Sequence, residues 1–358
     1  MKIVYLLGTG ATNAEKHLEC KIKNTGIDED GKLQAELSSN GVSGRVIDKL
    51  VEGDLLDNYG INSDNIHTPW SKKDFDIEFL ISILESLKTE LGERHSRTLR
   101  QYYRNDIIDN IHVTGETITP RLLTSLIEWH NLDGCNEELI GFITLNYDSI
   151  LETAFTMKHE KFNYGIEDIQ VDASLDFEHE KGNPYLLKLH GSFDWFRDTD
   201  VTNKLLVKST GPSESMQWIP PQLFKKHNKP PFNILYKKAQ DILNECDILR
   251  VIGCSLSAND FNLISLLFKT QMKRGRRNYK IEPIASRKRV KDLIKDRLGF
   301  LSFEESFYEK DDWGKLEKES TNNPFLDWLY YIVINTTTDI SSTDHLKKIE
   351  GMFDLWQP

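Results

Sequence analysis

The 358-residue chain has no apolar run approaching the roughly eighteen residues needed to cross a bilayer, so no membrane contact is expected. The opening MKIVYLLGTGAT looks briefly like a secretory leader. Its apolar run is short, however, and Gly8 ends it before any cleavage-site pattern. Cysteine is scarce: Cys20, Cys135, Cys246 and Cys254 are scattered, with no C-x-x-C pair. That excludes a zinc ribbon, argues against a disulfide framework and fits a reducing cytoplasm. Positive charge is also lacking. The net charge of −11 speaks against a generic nucleic-acid binder. One stretch runs the other way: residues 269–297 hold twelve Lys/Arg against three Asp/Glu. This is either a solvated face or a docking patch for an acidic partner or a nucleic-acid backbone. Internal repeats and low-complexity segments are absent. DEDG at 28–31 lacks the acidic spacing and closing glutamate of a calcium loop.

What is present is alternation. KIVYLLG (2–8) reads as a buried strand, and residues 13–45 as a long polar loop. Residues 75–130 turn helical. Phe75, Phe79, Ile83 and Leu87 fall four apart, with Leu80 and Leu84 beside them, and Thr119 with Pro120 opens a second helix. Then come LIGFITLNYD as a strand, a helix from Ser149, YLLKLHGSFDWF (185–196) as a strand, and a loop-like, proline-rich stretch over 198–232. A helix at 234–246, a strand at 247–256, a helix at 259–273, a strand at 279–285 and a helix at 286–297 complete the pattern. Short apolar strands alternating with helices predict an α/β fold: a doubly wound, Rossmann-like parallel sheet with an inserted helical subdomain. The expected domains are 1–300, with the insertion at about 46–135, and a C-terminal extension, 301–358, that packs or oligomerises. The extension is rich in large apolar groups, among them Phe325, Trp328, Tyr330 and Phe353.

Ligands of such sheets bind outside the carboxyl ends of the strands. The unusual residues stand at those ends: Gly8-Thr9-Gly10-Ala11-Thr12, Asn146-Tyr147-Asp148, His190-Gly191-Ser192 and Gly253-Cys254-Ser255. Each alone is weak, and Asn146 and Asp148 also suit a helix cap. Their convergence points to one cleft.

LLGTGAT, FITLNYDSILE, LLKLHGSFDW and RVIGCSLSANDFN, with WIPP (218–221) between the last two, resemble the core motifs of the sirtuin-like proteins, in particular the branch found in bacterial anti-phage defence. The resemblance spans roughly residues 1–300. It implies NAD as the substrate. The four-cysteine zinc module of deacetylating sirtuins is missing, and NAEKHLECKIKN replaces their continuation of the glycine motif. Both departures favour an NAD glycohydrolase that releases nicotinamide and ADP-ribose, without zinc. The alternatives are an NAD-dependent protein deacylase and a non-catalytic subunit that senses NAD or ADP-ribose. The resemblance also implies a homo-oligomer, or a HerA-like ATPase as partner, and defence by NAD depletion.

On that reading Asn146 orients the ribose and a water, because its amide both donates and accepts. His190 is the general base, and Asp148 steadies the developing cation or orients the carboxamide. Gly8, Gly10, Ala11 and Thr12 offer bare amides and a hydroxyl to the pyrophosphate. Gly253, Ser255 and Asp260 flank the adenosine half.

Overall fold

Every residue of KIVYLL except the first is buried, so this strand is covered on both faces. In the computed structural model, which describes residues 1–29, 32–37, 39–52, 77–133, 135–198, 204–212, 215–223, 225–274, 280–284, 323–336 and 342–355, it forms β1 (Lys2–Leu7). There follow α1 (Thr9–Lys23), α2 (Ser39–Glu52), α3 (Ile77–Ser86), α4 (Glu90–Asn110), β2 (His112–Val113), β3 (Glu116–Thr117), α5 (Arg121–His130), β4 (Glu138–Thr144) and α6 (Ile150–Met157). Next come β5 (Ile169–Val171), β6 (Tyr185–Lys188), β7 (Gly191–Arg197), β8 (Leu205–Val207), β9 (Met216–Trp218), α7 (Phe232–Glu245), β10 (Ile248–Ile252), α8 (Phe261–Arg274) and β11 (Lys280–Ile284). The last described elements are α9 (Pro324–Thr336) and α10 (Ser342–Asp354).

The central sheet has the order β11-β10-β1-β4-β6, with every neighbouring pair parallel. From β1 the chain winds outward to β4 and β6, then returns to add β10 and β11 on the other side. The switch of direction lies at β1, and in such sheets ligands bind outside the carboxyl ends of the strands at that point. Ile3 to Leu7 are at most 2 % exposed. Burial at about 1.5–3 kcal/mol per large apolar side chain makes this central strand a main source of stability.

The chain divides into two compact units. One comprises Met1–Thr25, Ile118–Trp218 and His227–Pro358; the other comprises Gly26–Thr117 and Ile219–Lys226. The first holds the parallel sheet. The second is helical, built on α2, α3 and α4 with the β2–β3 ribbon. Inside it a bidentate pair ties Arg45 to the buried Asp106 at 2.7–3.0 Å. The second unit begins at Gly26, and α5 belongs to the sheet unit.

Several local expectations are corrected. Residues 13–45 are not one long loop: α1 runs to Lys23 and α2 begins at Ser39. On α3 the buried face is Ile77, Leu80, Ile81 and Leu84, whereas Phe79, Ile83 and Leu87 are exposed. This helix is apolar on two faces, so periodicity alone did not choose between them. Phe75 lies outside the described residues. Thr119 does not cap α5. The side-chain oxygens of Glu15, on α1, accept from Leu122 N and Leu123 N at 3.0 and 2.6 Å, a cap supplied from a distant helix.

YLLKLHGSFDWF is not one strand. It breaks at His190-Gly191, and β7 leaves the parallel sheet for a four-stranded sheet of order β5-β8-β7-β9. Gly191 makes the break. Its φ is +74°, and a Cβ there would lie 2.2 Å from Gln217 O. The stretch 198–232 therefore contains β8 and β9 as well as loops. The C-terminal aromatics Phe325, Trp328, Tyr330 and Phe353 are buried within the sheet unit, so they act as core rather than as a free contact surface. The helix expected at 286–297 and most of the basic stretch lie outside the described residues. Among the described residues no helix is long and apolar enough to cross a membrane.

Candidate active site

The crevice at β1 is assembled from backbone first. Gly8 N donates to Ile252 O and Gly10 N to Gly253 O, both at 3.0 Å, so the turn after β1 is stitched to the turn after β10. A Cβ on Gly8 would meet Gly253 O and Cys254 Cα at 2.6 Å, and one on Gly10 would meet Gly253 Cα at 2.6 Å. These glycines are demanded by backbone packing. The amides of Gly8 and Gly10, expected to be bare, are donated to carbonyls here. Ala11 N is likewise turned to Gly8 O at 2.9 Å.

The turn after β4 is held by the same end of the sheet. Thr144 Oγ1 donates to Leu7 O at 3.2 Å and accepts from Asn146 N at 3.1 Å. Asn146 is 7 % exposed, and its Nδ2 donates to Gly8 O at 3.1 Å and to Thr12 Oγ1 at 3.0 Å. Thr12 in turn donates to Asp148 Oδ2 at 3.0 Å. With both amide protons engaged, the orientation of Asn146 is fixed. Its Oδ1 is buried and has no hydrogen-bond partner. An orphaned buried acceptor is costly, and this one is matched to a donor such as a hydroxyl or a water. Asp148 serves two roles. Oδ1 accepts from Ile150 N at 3.2 Å, the helix-cap role open to it in the sequence, and Oδ2 accepts from Thr12. Burial raises its carboxyl pKa above the ordinary aspartate value, and the nearby Lys188 opposes that.

A cavity of about 10 Å³, room for about one water, is lined by Ala11, Thr12, Thr144, Asn146, Asp148 and Glu152 among others. His190 stands in the turn after β6, 4 % exposed. Its Nε2 is 3.9 Å from Asp260 Oδ1, and its ring lies 6.2 Å from that of Tyr147. Tyr147 also stacks on Phe193 at 4.9 Å and meets Trp218 edge-on at 5.4 Å.

The structure thus brings Gly8, Gly10, Ala11, Thr12, Asn146, Asp148 and Gly253 together, and sets His190 beside Asp260. Ser255 is exposed. Sequence reasoning passed over Lys188 and Glu152, both fully buried and in contact at 2.8 Å. Their signal was in view: a lysine inside the apolar run LLKL, and a glutamate in the apolar stretch SILETAF. Among the described residues no group of three or more His, Cys, Asp or Glu is placed to hold a metal ion.

A family model described as a SIR2-like domain matches residues 141–297, which include the Asn146, His190 and Gly253 turns. This part of the chain is similar to that domain, and the similarity supports a sirtuin-like relationship and NAD-related chemistry. No curated protein matches the chain.

Proposed function

We propose that this crevice binds NAD and hydrolyses its nicotinamide–ribose bond, releasing nicotinamide and ADP-ribose. The observation that carries the reading is the fixed, buried Asn146 with an unpartnered Oδ1. A site built around a ribose hydroxyl or an attacking water needs such an acceptor, held in one orientation before the substrate arrives. The similarity of residues 141–297 to a SIR2-like domain supports NAD as the substrate.

The reaction breaks the bond from ribose C1′ to the pyridinium nitrogen, and the bonding pair leaves with neutral nicotinamide. Asn146 Oδ1 accepts from the ribose or the water and keeps the nucleophile in line. His190 takes the proton of the water as its oxygen bonds to C1′. Thr12 accepts from Asn146 and donates to Asp148, which holds the amide in place, and Asp148 adds negative charge beside the developing cation. We further propose that the chain acts in anti-phage defence by depleting NAD, assembled as a homo-oligomer or beside a HerA-like ATPase. The motif resemblance supports that extension.

Incubation with NAD, with and without an acylated peptide, tests the reading. Free nicotinamide without peptide is the expected result. Release only with peptide would instead establish a deacylase, and no release under either condition a binding subunit.

A further inference from the structure

We propose that Lys188 is a positioning residue that locks the turn bearing Asn146 and Asp148 to the turn bearing His190. The inference rests on reading this crevice as the NAD-cleaving centre.

Lys188 is 0 % exposed, two residues before His190 at the end of β6. Its Nζ donates to Asp148 O at 2.5 Å and to Glu152 Oε1 at 2.8 Å. Glu152, also 0 % exposed, accepts as well from Tyr164 Oη at 3.1 Å. Burial opposes the charge on Lys188, but Glu152, Asp194 and Asp148 around it raise its pKa above the ordinary lysine value, so it is an ammonium here. An apolar pair of similar volume commonly serves stability as well as a buried ion pair does, so stability alone does not explain a charge at this depth.

Geometry offers a reason. On the other side of His190, Ser192 Oγ donates to Tyr147 O at 2.8 Å and Phe193 N to the same carbonyl at 3.3 Å. Residues 188 and 192 thus flank His190 and grip consecutive carbonyls, Asp148 O and Tyr147 O, of the opposite turn. The two halves of the site are set in register by these bonds. Misplacement of reacting groups by about an ångström costs about a hundredfold in rate.

The test compares wild type, Lys188→Met and Lys188→Met/Glu152→Met. The single variant strands a buried carboxylate, and the double variant removes both charges and keeps an apolar fill. In the double variant, folded by circular dichroism, kcat for nicotinamide release should fall by about tenfold to a hundredfold, with KM changed less than about threefold. Amide hydrogen exchange over residues 144–153 should speed by about tenfold or more, while β1 and β10 keep their protection. A double variant with kcat near wild type, or with unchanged exchange in 144–153, would overturn the proposal. If wild type released no nicotinamide, the functional reading would fall, and the exchange measurement would still decide the clamp.

Discussion

At the scale of single residues, the candidate chemistry rests on Asn146 and His190. Asn146→Ala and His190→Ala should each lower nicotinamide release by roughly a hundredfold or more while the fold persists, as loss of an orienting group or a general base does. Turnover near wild type in either variant would remove that residue from the mechanism. Arg250 bears on the choice of dinucleotide. It is 1 % exposed, with its guanidinium paired to Glu137 at 2.6 Å and to Glu282 at 2.9 Å, and it donates to Tyr5 Oη at 3.0 Å. Its guanidinium is engaged and buried, so Arg250 is not available for a 2′-phosphate. The glycine turn GTGAT has no arginine either. NAD should therefore be cleaved in preference to NADP, and equal kcat/KM for the two would refute this.

At the scale of elements, the meeting of the turns after β1 and β10 decides the shape of the crevice. Gly253 has φ +58°, and a Cβ there would stand 2.3 Å from Ala11 N and from Gly10 C. Backbone has nowhere to move. Gly253→Ala should cost at least about 2–3 kcal/mol, from left-handed strain plus the clash. Gly115, in the helical unit, supplies the control: its φ is +82° with nothing within 4 Å of a Cβ, so Gly115→Ala should cost only about 1–2 kcal/mol of strain. Urea titrations of the two variants compare them, and equal losses would show that the close approach at Gly253 is not a tight constraint. The parallel strands β1, β4, β6, β10 and β11 and the helices α6, α7 and α8 between them were legible in the sequence because buried parallel strands are short apolar runs ended by glycine or polar residues, whereas α1 and α2 are hidden in a polar stretch that reads as loop. The second sheet was not legible, because three-residue strands such as β8 and β9 carry too little pattern to stand out from proline-rich loops.

For the whole molecule, buried titratable groups set a pH profile. Burial lowers the pKa of His130 to about 4, as it does for His345. Both groups favour folding when neutral. Their contribution is complete above the ordinary histidine value of about 6.5 and is lost as pH falls through about 4. Glu15 works in the opposite sense. Burial raises its carboxyl to about 8 despite its bonds to the amides of α5, so it is held protonated in the fold. Its contribution is complete below the ordinary glutamate value and is lost as pH rises through about 8. These three groups together contribute stability that climbs from about pH 4 to 6.5, then falls toward pH 8 by about 2 kcal/mol. Denaturant unfolding of wild type and Glu15→Gln at pH 5, 6.5 and 8 checks this. The variant should lose the decline above pH 6.5, and an unchanged decline would show that Glu15 does not cause it.

The sequence by itself determined the alternation of strands and helices and the four strand ends at which polar and glycine residues collect. Those features follow from local rules: apolar runs bury, glycine and asparagine end them, and parallel strands put their carboxyl ends on one side. Only the tertiary structure decided which groups serve which others. It showed that Gly8 and Gly10 are glycines because the Gly253 turn crosses them, that Asn146 Oδ1 is left without a partner, that Glu15 caps a helix far along the chain, and that Phe325 and Trp328 belong to the core. It also joined Lys188 to a carbonyl forty residues earlier. Hydrogen bonds, ion pairs and close backbone approaches act over a few ångströms in space and leave no period in the chain, so no reading along the sequence alone contains them.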